Sequence, residues 1–281
     1  MKSILITGAN SYIGTSFEKW MQQFGGDYQI DTIDMHGEAW KAKDFSAYDS
    51  IFHVAGIAHA DVSKVNKDTK KLYYKVNCDL AVDTARKYKQ DLDGKIGQFI
   101  YMSSIIIYGE ETSINKKRVI TINTKPKPTN FYGDSKLKAE ENLIPFNDEN
   151  FNIVILRPPM IYGEGSKGNY QQLVKLANKM PVFPNIKNER SMLSIDKLCD
   201  FLKKIIDNNS SGIYFPQNSD YVRTSHMVKE IATVHGKNII LFSGLNWFIY
   251  LFGYFPGKIG KLTNKAFGNL TYENADMEIK L

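Results

Sequence analysis

Two hydrophobic rhythms alternate along the chain as far as Gly163. Ile4-Leu5-Ile6, Ile51-Phe52 and Phe99-Ile100-Tyr101-Met102 are short continuous apolar runs bounded by small or polar residues, the pattern of strands buried on both faces. Tyr28 to Asp34 alternates instead. Between the first two strands Ile13, Phe17, Met21 and Phe24 recur every three or four positions, so a helix there lays one apolar stripe on a sheet. Such alternation predicts an α/β fold, a doubly wound and mostly parallel sheet with helices on both faces. Beyond it, Ile195, Leu198, Leu202, Ile205 and Ile206 form a helical stripe within Ser194 to Asn208, and Gly212 to Pro216 is strand-like.

The first strand-to-helix junction carries more than packing. Lys2 to Thr7 runs into Gly8-Ala9-Asn10-Ser11-Tyr12-Ile13-Gly14. Gly8 permits a tight turn, the N–H groups that open the helix face a pyrophosphate, and Gly14 lets helix and sheet pack closely, as in a Rossmann-type dinucleotide cradle. Ser11 stands where that fingerprint usually has its second glycine. An ordinary strand, turn and helix would share part of the pattern. Asp34 closes the next strand about twenty residues after the turn, where an acid commonly holds the adenosine ribose. A carboxylate there favours NAD over NADP by repelling a 2′-phosphate, and Lys41 and Lys43 are close enough in sequence to soften the repulsion. A strand-ending Asp in a turn looks the same locally. Its register with Gly8 and Gly14 favours the ribose.

Ligands of such sheets gather at the carboxyl ends of the strands. Ser50 to Gly56 and Gln98 to Ser104 end in small residues, which puts Val54, Ala55, Gly56 and Ser104 at the mouth of a cleft. In Asn130-Phe131-Tyr132-Gly133-Asp134-Ser135-Lys136 a phenol and an ammonium four residues apart share one helix face. Tyrosine has a reference pKa of about 10, and a neighbouring cation favours the phenolate. The pair is therefore a candidate proton-transfer device.

Composition narrows the class. The 281 residues, 43% hydrophobic, are ample for a core and too few for several large independent domains. The formal net charge of +6 comes from scattered lysines and short runs such as Lys116-Lys117-Arg118 and Lys203-Lys204. These read as solvated faces that also attract an anionic substrate. No recognised motif supports nucleic acid as a partner. Cys78 and Cys199 lie far apart and make neither a metal cluster nor a disulfide framework, so no metal and a reducing cytoplasm are expected. The N-terminus does not read as a signal peptide. Ile239 to Phe255 is apolar and aromatic-rich, but shorter than the span of about twenty residues that a bilayer needs, and Ser243, Gly244, Asn246 and Gly253 interrupt it. Two readings stay open for residues 239–265. They are helices packed over the substrate pocket, or an interfacial foot whose aromatics and Lys258, Lys261 and Lys265 suit an anionic bilayer.

Five motifs in order carry a resemblance: Thr7 to Gly14, His53-Val54-Ala55-Gly56, Ser103-Ser104-Ile105-Ile106-Ile107-Tyr108-Gly109, Tyr132 to Lys136, and Leu156-Arg157-Pro158-Pro159-Met160-Ile161-Tyr162-Gly163. Over nearly its whole length the chain resembles the extended short-chain dehydrogenases/reductases, the NAD-dependent epimerase/dehydratase family. Arg157 to Gly163, Gly168-Asn169-Tyr170 and Pro184-Asn185-Ile186 are similar to capsular-polysaccharide enzymes acting on UDP-N-acetyl-4-keto-6-deoxyhexoses. The resemblance implies a Rossmann-type lobe of residues 1–163 and roughly 190–216, with a smaller substrate lobe of 164–189 and 217–281. It implies that Ser104 holds the reacting sugar oxygen, Tyr132 transfers a proton, and Lys136 binds the nicotinamide ribose and lowers the phenol's pKa. NAD or NADP would contact Gly8, Ser11, Tyr12, Ile13, Gly14, Asp34, Asp44, Phe45, Val54, Ala55, Gly56, Tyr132, Lys136 and Pro159. A UDP-sugar would meet His59, Ile105, Asn169, Phe183 near the uracil, and Arg190 at the diphosphate, where an arginine fork suits paired phosphate oxygens. Family dehydratases carry an Asp-Glu pair directly after the serine or threonine. Here Ile105 and Ile106 stand in those places and cannot move protons, which leaves keto-sugar reduction first, 4-epimerisation with tightly bound NAD second, and a non-catalytic cofactor sensor as the reading from another class. A homodimer through the Tyr73 to Tyr88 and Tyr132 to Leu143 helices is the family's expectation.

Overall fold

In the computed structural model, which describes every residue except 59–65, 111, 245 and 275–276, the apolar runs become a seven-stranded sheet. From one edge its order is Tyr28–Ile33, Lys2–Thr7, Ser50–His53, Gly97–Met102, Phe151–Leu156, Gly212–Tyr214 and Glu278–Ile279. All pairings are parallel except the last. Alternation along each strand divides the side chains between two cores. Leu5, Ile51, Phe99, Tyr101, Ile153 and Ile155 share one core with residues of the helices Leu80–Leu92 and Phe131–Leu143. Ile4, Ile6, Phe52, Ile100, Val154 and Leu156 share the other with Tyr12–Met21 and Ile195–Asp207. Continuous apolar strands are what a parallel sheet covered on both faces requires, and each such side chain contributes about 1.5–3 kcal/mol on full burial.

Both expected stripes form helices. Phe17 and Met21 are buried, while the first helix ends at Met21 and leaves Phe24 half-buried in the turn Gln22–Asp27. Leu198, Leu202, Ile205 and Ile206 bury the later stripe. A third core joins the helices Asn169–Lys179 and Thr224–Val234 through Leu173, Ala177, Met227, Val228 and Ile231. The tail beyond Gln217, expected wholly in this lobe, instead returns to the central sheet, where Ile279 pairs with Ile213. Within residues 116–127, Val119–Ile120 pairs with Thr271–Tyr272. Residues 239–255 divide into the strand Ile240–Phe242 and the helix Asn246–Phe252, followed by the helix Lys258–Phe267. Among the described residues no helix is long and apolar enough to cross a membrane.

The strand order fixes where a ligand goes. Tyr28–Ile33 lies on one side of Lys2–Thr7 and Ser50–His53 on the other. Connections leaving in opposite directions open a crevice at the carboxyl ends of the two inner strands.

Candidate active site

The crevice is built around Gly8. Its φ of 87° lies in the left-handed region, and a Cβ there would stand 2.8 Å from Ala55 Cα, so the turn presses directly on the next strand's exit. Gly8 N and Ala9 N donate to Ile33 O at 3.0 and 3.1 Å, fastening the turn to the strand that precedes Asp34. Ser11 caps the first helix by accepting from Gly14 N at 3.1 Å. A Cβ on Gly14 would lie 3.1 Å from Ile6 Cγ2 and 3.3 Å from Val54 Cγ1. The amides of Tyr12 and Ile13 open the helix without intrahelical acceptors, at its positive end. This cradle fits a dinucleotide's pyrophosphate. Tyr12 also reaches the second lobe: its ring approaches Gly165, and burial pushes its phenol up to about 12.

Asp34 is exposed just after the Tyr28–Ile33 strand. It accepts from His36 N at 3.0 Å and His36 Nδ1 at 2.6 Å, which holds the carboxyl below its usual range. The lysines expected to soften its charge face elsewhere. Lys41 pairs with Glu38, and Lys43 lies 3.9 Å from Asp31 and over the Tyr48 ring. Asp44 is exposed and accepts from Ser46 N and Oγ. Phe45 departs from the expected cofactor contact. Its ring is fully buried and stacks on Trp40, and its N–H already donates to Asp91 Oδ2 at 2.9 Å, because the apolar side chain finds the core first. Val54, Ala55 and Gly56 follow the Ser50–His53 strand, and Pro159 is buried beyond the Phe151–Leu156 strand.

Asn130 starts the Phe131–Leu143 helix by accepting from Gly133 N at 2.8 Å. Gly133 has no room for a side chain, since a Cβ would meet Ile106 O at 2.8 Å. That close approach brings Tyr132 near Ser104, whose hydroxyl is close enough to favour the phenolate. Ser104 also caps the Ile105–Tyr108 turn by accepting from Ile106 N at 3.3 Å. Tyr132 is half-buried, with the Tyr73 ring edge-on at 6.1 Å. Burial pushes its phenol up to about 12, and the nearby Ser104 offsets this only in part. This corrects the expectation that Lys136 makes the phenol more acidic. Lys136 Nζ donates instead to Met102 O at 2.7 Å and lies over the Tyr101 ring. Burial brings the ammonium down to about 8, against the opposing pull of Glu140.

Glu140 is a residue the sequence reading missed. It continues the Tyr132 and Lys136 face by one more turn and is fully buried. Arg157 Nη2 meets its Oε2 at 2.6 Å, Ser103 donates to its Oε1, and Arg157 Nη1 donates to the Tyr108 hydroxyl at 2.7 Å. Asn77 was missed as well. It is buried in the π-turn Lys75–Asp79, where its Oδ1 accepts from Ile57 N at 2.8 Å and its Nδ2 donates to Ser135 Oγ at 3.1 Å. It thereby ties the exit of the Ser50–His53 strand to the Tyr132 helix. The available signal was a polar residue in the stripe Tyr73, Asn77, Ala81 and Ala85, all of them buried.

The substrate side is mixed. Ile105 and Ile106 are half-exposed directly after Ser104. Asn169 is exposed at the first position of its helix, after Gly168 at φ 77°. Arg190 is half-buried, donates to Lys265 O at 2.7 Å and has no carboxylate among its described salt bridges. Burial draws its guanidinium down from the ordinary value, and an anion would relieve that desolvation. Phe183 does not present a free ring. It is buried against Phe267 at 5.7 Å because it serves the second lobe's core. His59 lies outside the described residues.

A glycine cradle at a sheet's switch point, with a serine at a neighbouring strand end and a tyrosine and a lysine on the adjoining helix, defines an NAD(P)-dependent enzyme of the extended short-chain dehydrogenase/reductase class. The chain belongs to the NAD dependent epimerase/dehydratase family, whose model matches residues 4–215. It is similar to a UDP-glucose 4-epimerase of Vibrio cholerae, 29% identical over 92% of this chain and 83% of that one. It is 24% identical to an Escherichia coli O157:H7 enzyme named N-acetyl-alpha-D-glucosaminyl-diphospho-ditrans,octacis-undecaprenol 4-epimerase, over 84% of this chain and 73% of that one. In fold it matches the UDP-glucuronic acid 4-epimerase of Bacillus cereus in complex with NAD, with a TM-score of 0.68 and 16% identity over 97% of this chain and 90% of that one. It also matches the dTDP-4-dehydrorhamnose reductase of Bacillus anthracis in complex with NADP, with a TM-score of 0.65 and 18% identity over 88% and 86% of the two chains.

Proposed function

We propose that this enzyme reduces the C4 ketone of a UDP-linked 4-keto-6-deoxy-N-acetylhexosamine, in the cytoplasm, as a step toward a surface polysaccharide such as a capsule. The observation that carries the reading is the apolar pair Ile105 and Ile106 directly after Ser104. Water elimination needs an acid and a base at that place, whereas two half-exposed isoleucines leave only the ketone chemistry of Ser104 and Tyr132. They also form an apolar wall that suits a C6 methyl group. A bound reduced nicotinamide supplies the hydride to the carbonyl carbon. Tyr132, protonated at neutral pH, gives its proton to the carbonyl oxygen, and Ser104 orients that oxygen. Lys136, one turn along the same helix, supplies a donor for the ribose. Arg190 and Asn169 hold the diphosphate, and Asp34 holds the adenosine ribose in preference to a 2′-phosphate. The active unit is a homodimer built on the helices around Tyr73 to Tyr88 and Tyr132 to Leu143.

A second reading, a UDP-sugar 4-epimerase using the same residues, is favoured by the names of the two relatives above. Cofactor behaviour separates the readings. Given a UDP-4-keto-6-deoxy-HexNAc, the reductase consumes one reduced nicotinamide for each sugar converted, followed by absorbance and NMR. Interconversion of hydroxyl epimers by protein that purifies with its nicotinamide and needs none added contradicts the proposal. Cofactor binding without turnover across a panel of keto sugars contradicts both readings.

A further inference from the structure

Residues 231–272 contain no aspartate or glutamate and four lysines, Lys237, Lys258, Lys261 and Lys265. The same stretch holds an exposed apolar surface. The helix Asn246–Phe252 buries none of its described residues, and Lys258–Phe267 buries only Gly260 and Phe267. Trp247 is 59% exposed and Leu262 67%, with Phe248, Leu251, Phe255 and Ile259 exposed between them. Lys258, Lys261, Leu262 and Lys265 fall on one face of their helix by their spacing, so cations flank the apolar side chains. Large exposed apolar patches mark interaction sites, and the charge decides among occupants. A second copy docked about a two-fold axis would oppose these lysines with the same lysines, with no acid in the stretch to neutralise them. A bilayer with anionic headgroups satisfies both halves of the surface, taking the aromatic and aliphatic side chains into the acyl boundary and the ammoniums among the phosphates.

We propose that the Trp247 to Lys265 surface docks this enzyme on an anionic phospholipid membrane. The proposal goes beyond the reading of the reaction and does not depend on which sugar is reduced. It also connects the surface to the substrate side. Lys265 O accepts from Arg190, and Asn264 accepts from Thr112 Oγ1 at 2.8 Å and from Ile114 N at 3.0 Å, on the segment that follows the Ser104 turn. The helix that faces the lipid is thus one hydrogen bond from the cation assigned to the diphosphate.

Flotation of the full chain with vesicles tests it. Binding to phosphatidylglycerol/phosphatidylcholine vesicles is expected, with no binding to phosphatidylcholine alone, weakening as salt screens the lysines. Tryptophan emission shifts to the blue on binding, and Trp247→Phe removes the shift. The double variants Leu251→Glu/Leu262→Glu and Lys258→Glu/Lys261→Glu each lose at least tenfold in vesicle affinity while keeping the parent's circular dichroism and melting curve. Absence of binding to anionic vesicles overturns the proposal, as does equal binding to neutral ones or affinity unchanged in both variants. A parent that is oligomeric in solution and becomes monomeric in Leu251→Glu/Leu262→Glu also overturns it, because the surface is then occupied by a second copy.

Discussion

Tyr132 stands in its acid form. Its phenol, at about 12 in the protein, keeps its proton throughout the neutral range, so it is ready to donate to a developing alkoxide. Lys136, one turn along the same helix and brought down to about 8, is the site group that changes charge under working conditions. It is cationic below about 8 and neutral above, so kcat/KM for ketone reduction is expected to be level below that pH and to fall above it. In Lys136→Arg, where the guanidinium stays charged, the fall disappears from the range up to about pH 10. A parent profile flat between about pH 7 and 10 contradicts the assignment. Glu140 raises the Lys136 value, so Glu140→Gln is expected to move the limb to lower pH. The same variant leaves Arg157 buried without its charge partner, a loss on the order of 3–5 kcal/mol visible in thermal or denaturant unfolding. A melting curve equal to the parent's would show that the pair does not matter. Tyr132 and Lys136 were legible because their spacing is local. Glu140 follows at the same interval, but its partner Arg157 lies on a strand exit, and an acid on a helix looks like a solvated face until burial is known.

The elements that periodicity specifies are the ones found, because the sheet's two cores impose alternation on strands and a stripe on each covering helix. The Lys2–Thr7 strand, its glycine turn and the Tyr12–Met21 helix fall where the pattern puts them. What escaped is short or non-local. The edge strand Glu278–Ile279 has two residues and owes its existence to Ile213, and the π-turn at Asn77 is held by Ile57 and Ser135. Phe45 and Phe183 were misplaced for a related reason, since an aromatic near a ligand and an aromatic in a core have the same sequence signature. In the proposed reading the strand end at Asp34 carries the cofactor choice. Lys41 and Lys43 are engaged away from it, so its carboxylate is left to repel a 2′-phosphate. Asp34→Ser is therefore expected to shift the ratio of kcat/KM for NADPH over NADH upward by about tenfold, the equivalent of about 1.4 kcal/mol. An unchanged ratio in steady-state assays with both cofactors would remove Asp34 from the adenosine site.

Across the whole molecule, the cofactor cradle belongs to the sheet and the cation assigned to the diphosphate to the second lobe, while Tyr12 lies against Gly165 between them. The fold class was legible from alternation, and the expected division into lobes came from resemblance alone. The return of the tail to the sheet was not legible, because long-range pairing of two residues leaves no periodic trace. A net charge of +6 gives an anionic nucleotide sugar a favourable field, but the proposed chemistry depends on one hydroxyl, that of Tyr132. The most direct test is Tyr132→Phe, assayed for hydride transfer from reduced nicotinamide to a UDP-4-keto-6-deoxy-HexNAc, with cofactor affinity and melting temperature measured alongside. The account predicts a rate lower by about 10²–10⁴-fold with cofactor binding and stability retained, and turnover equal to the parent's would contradict it.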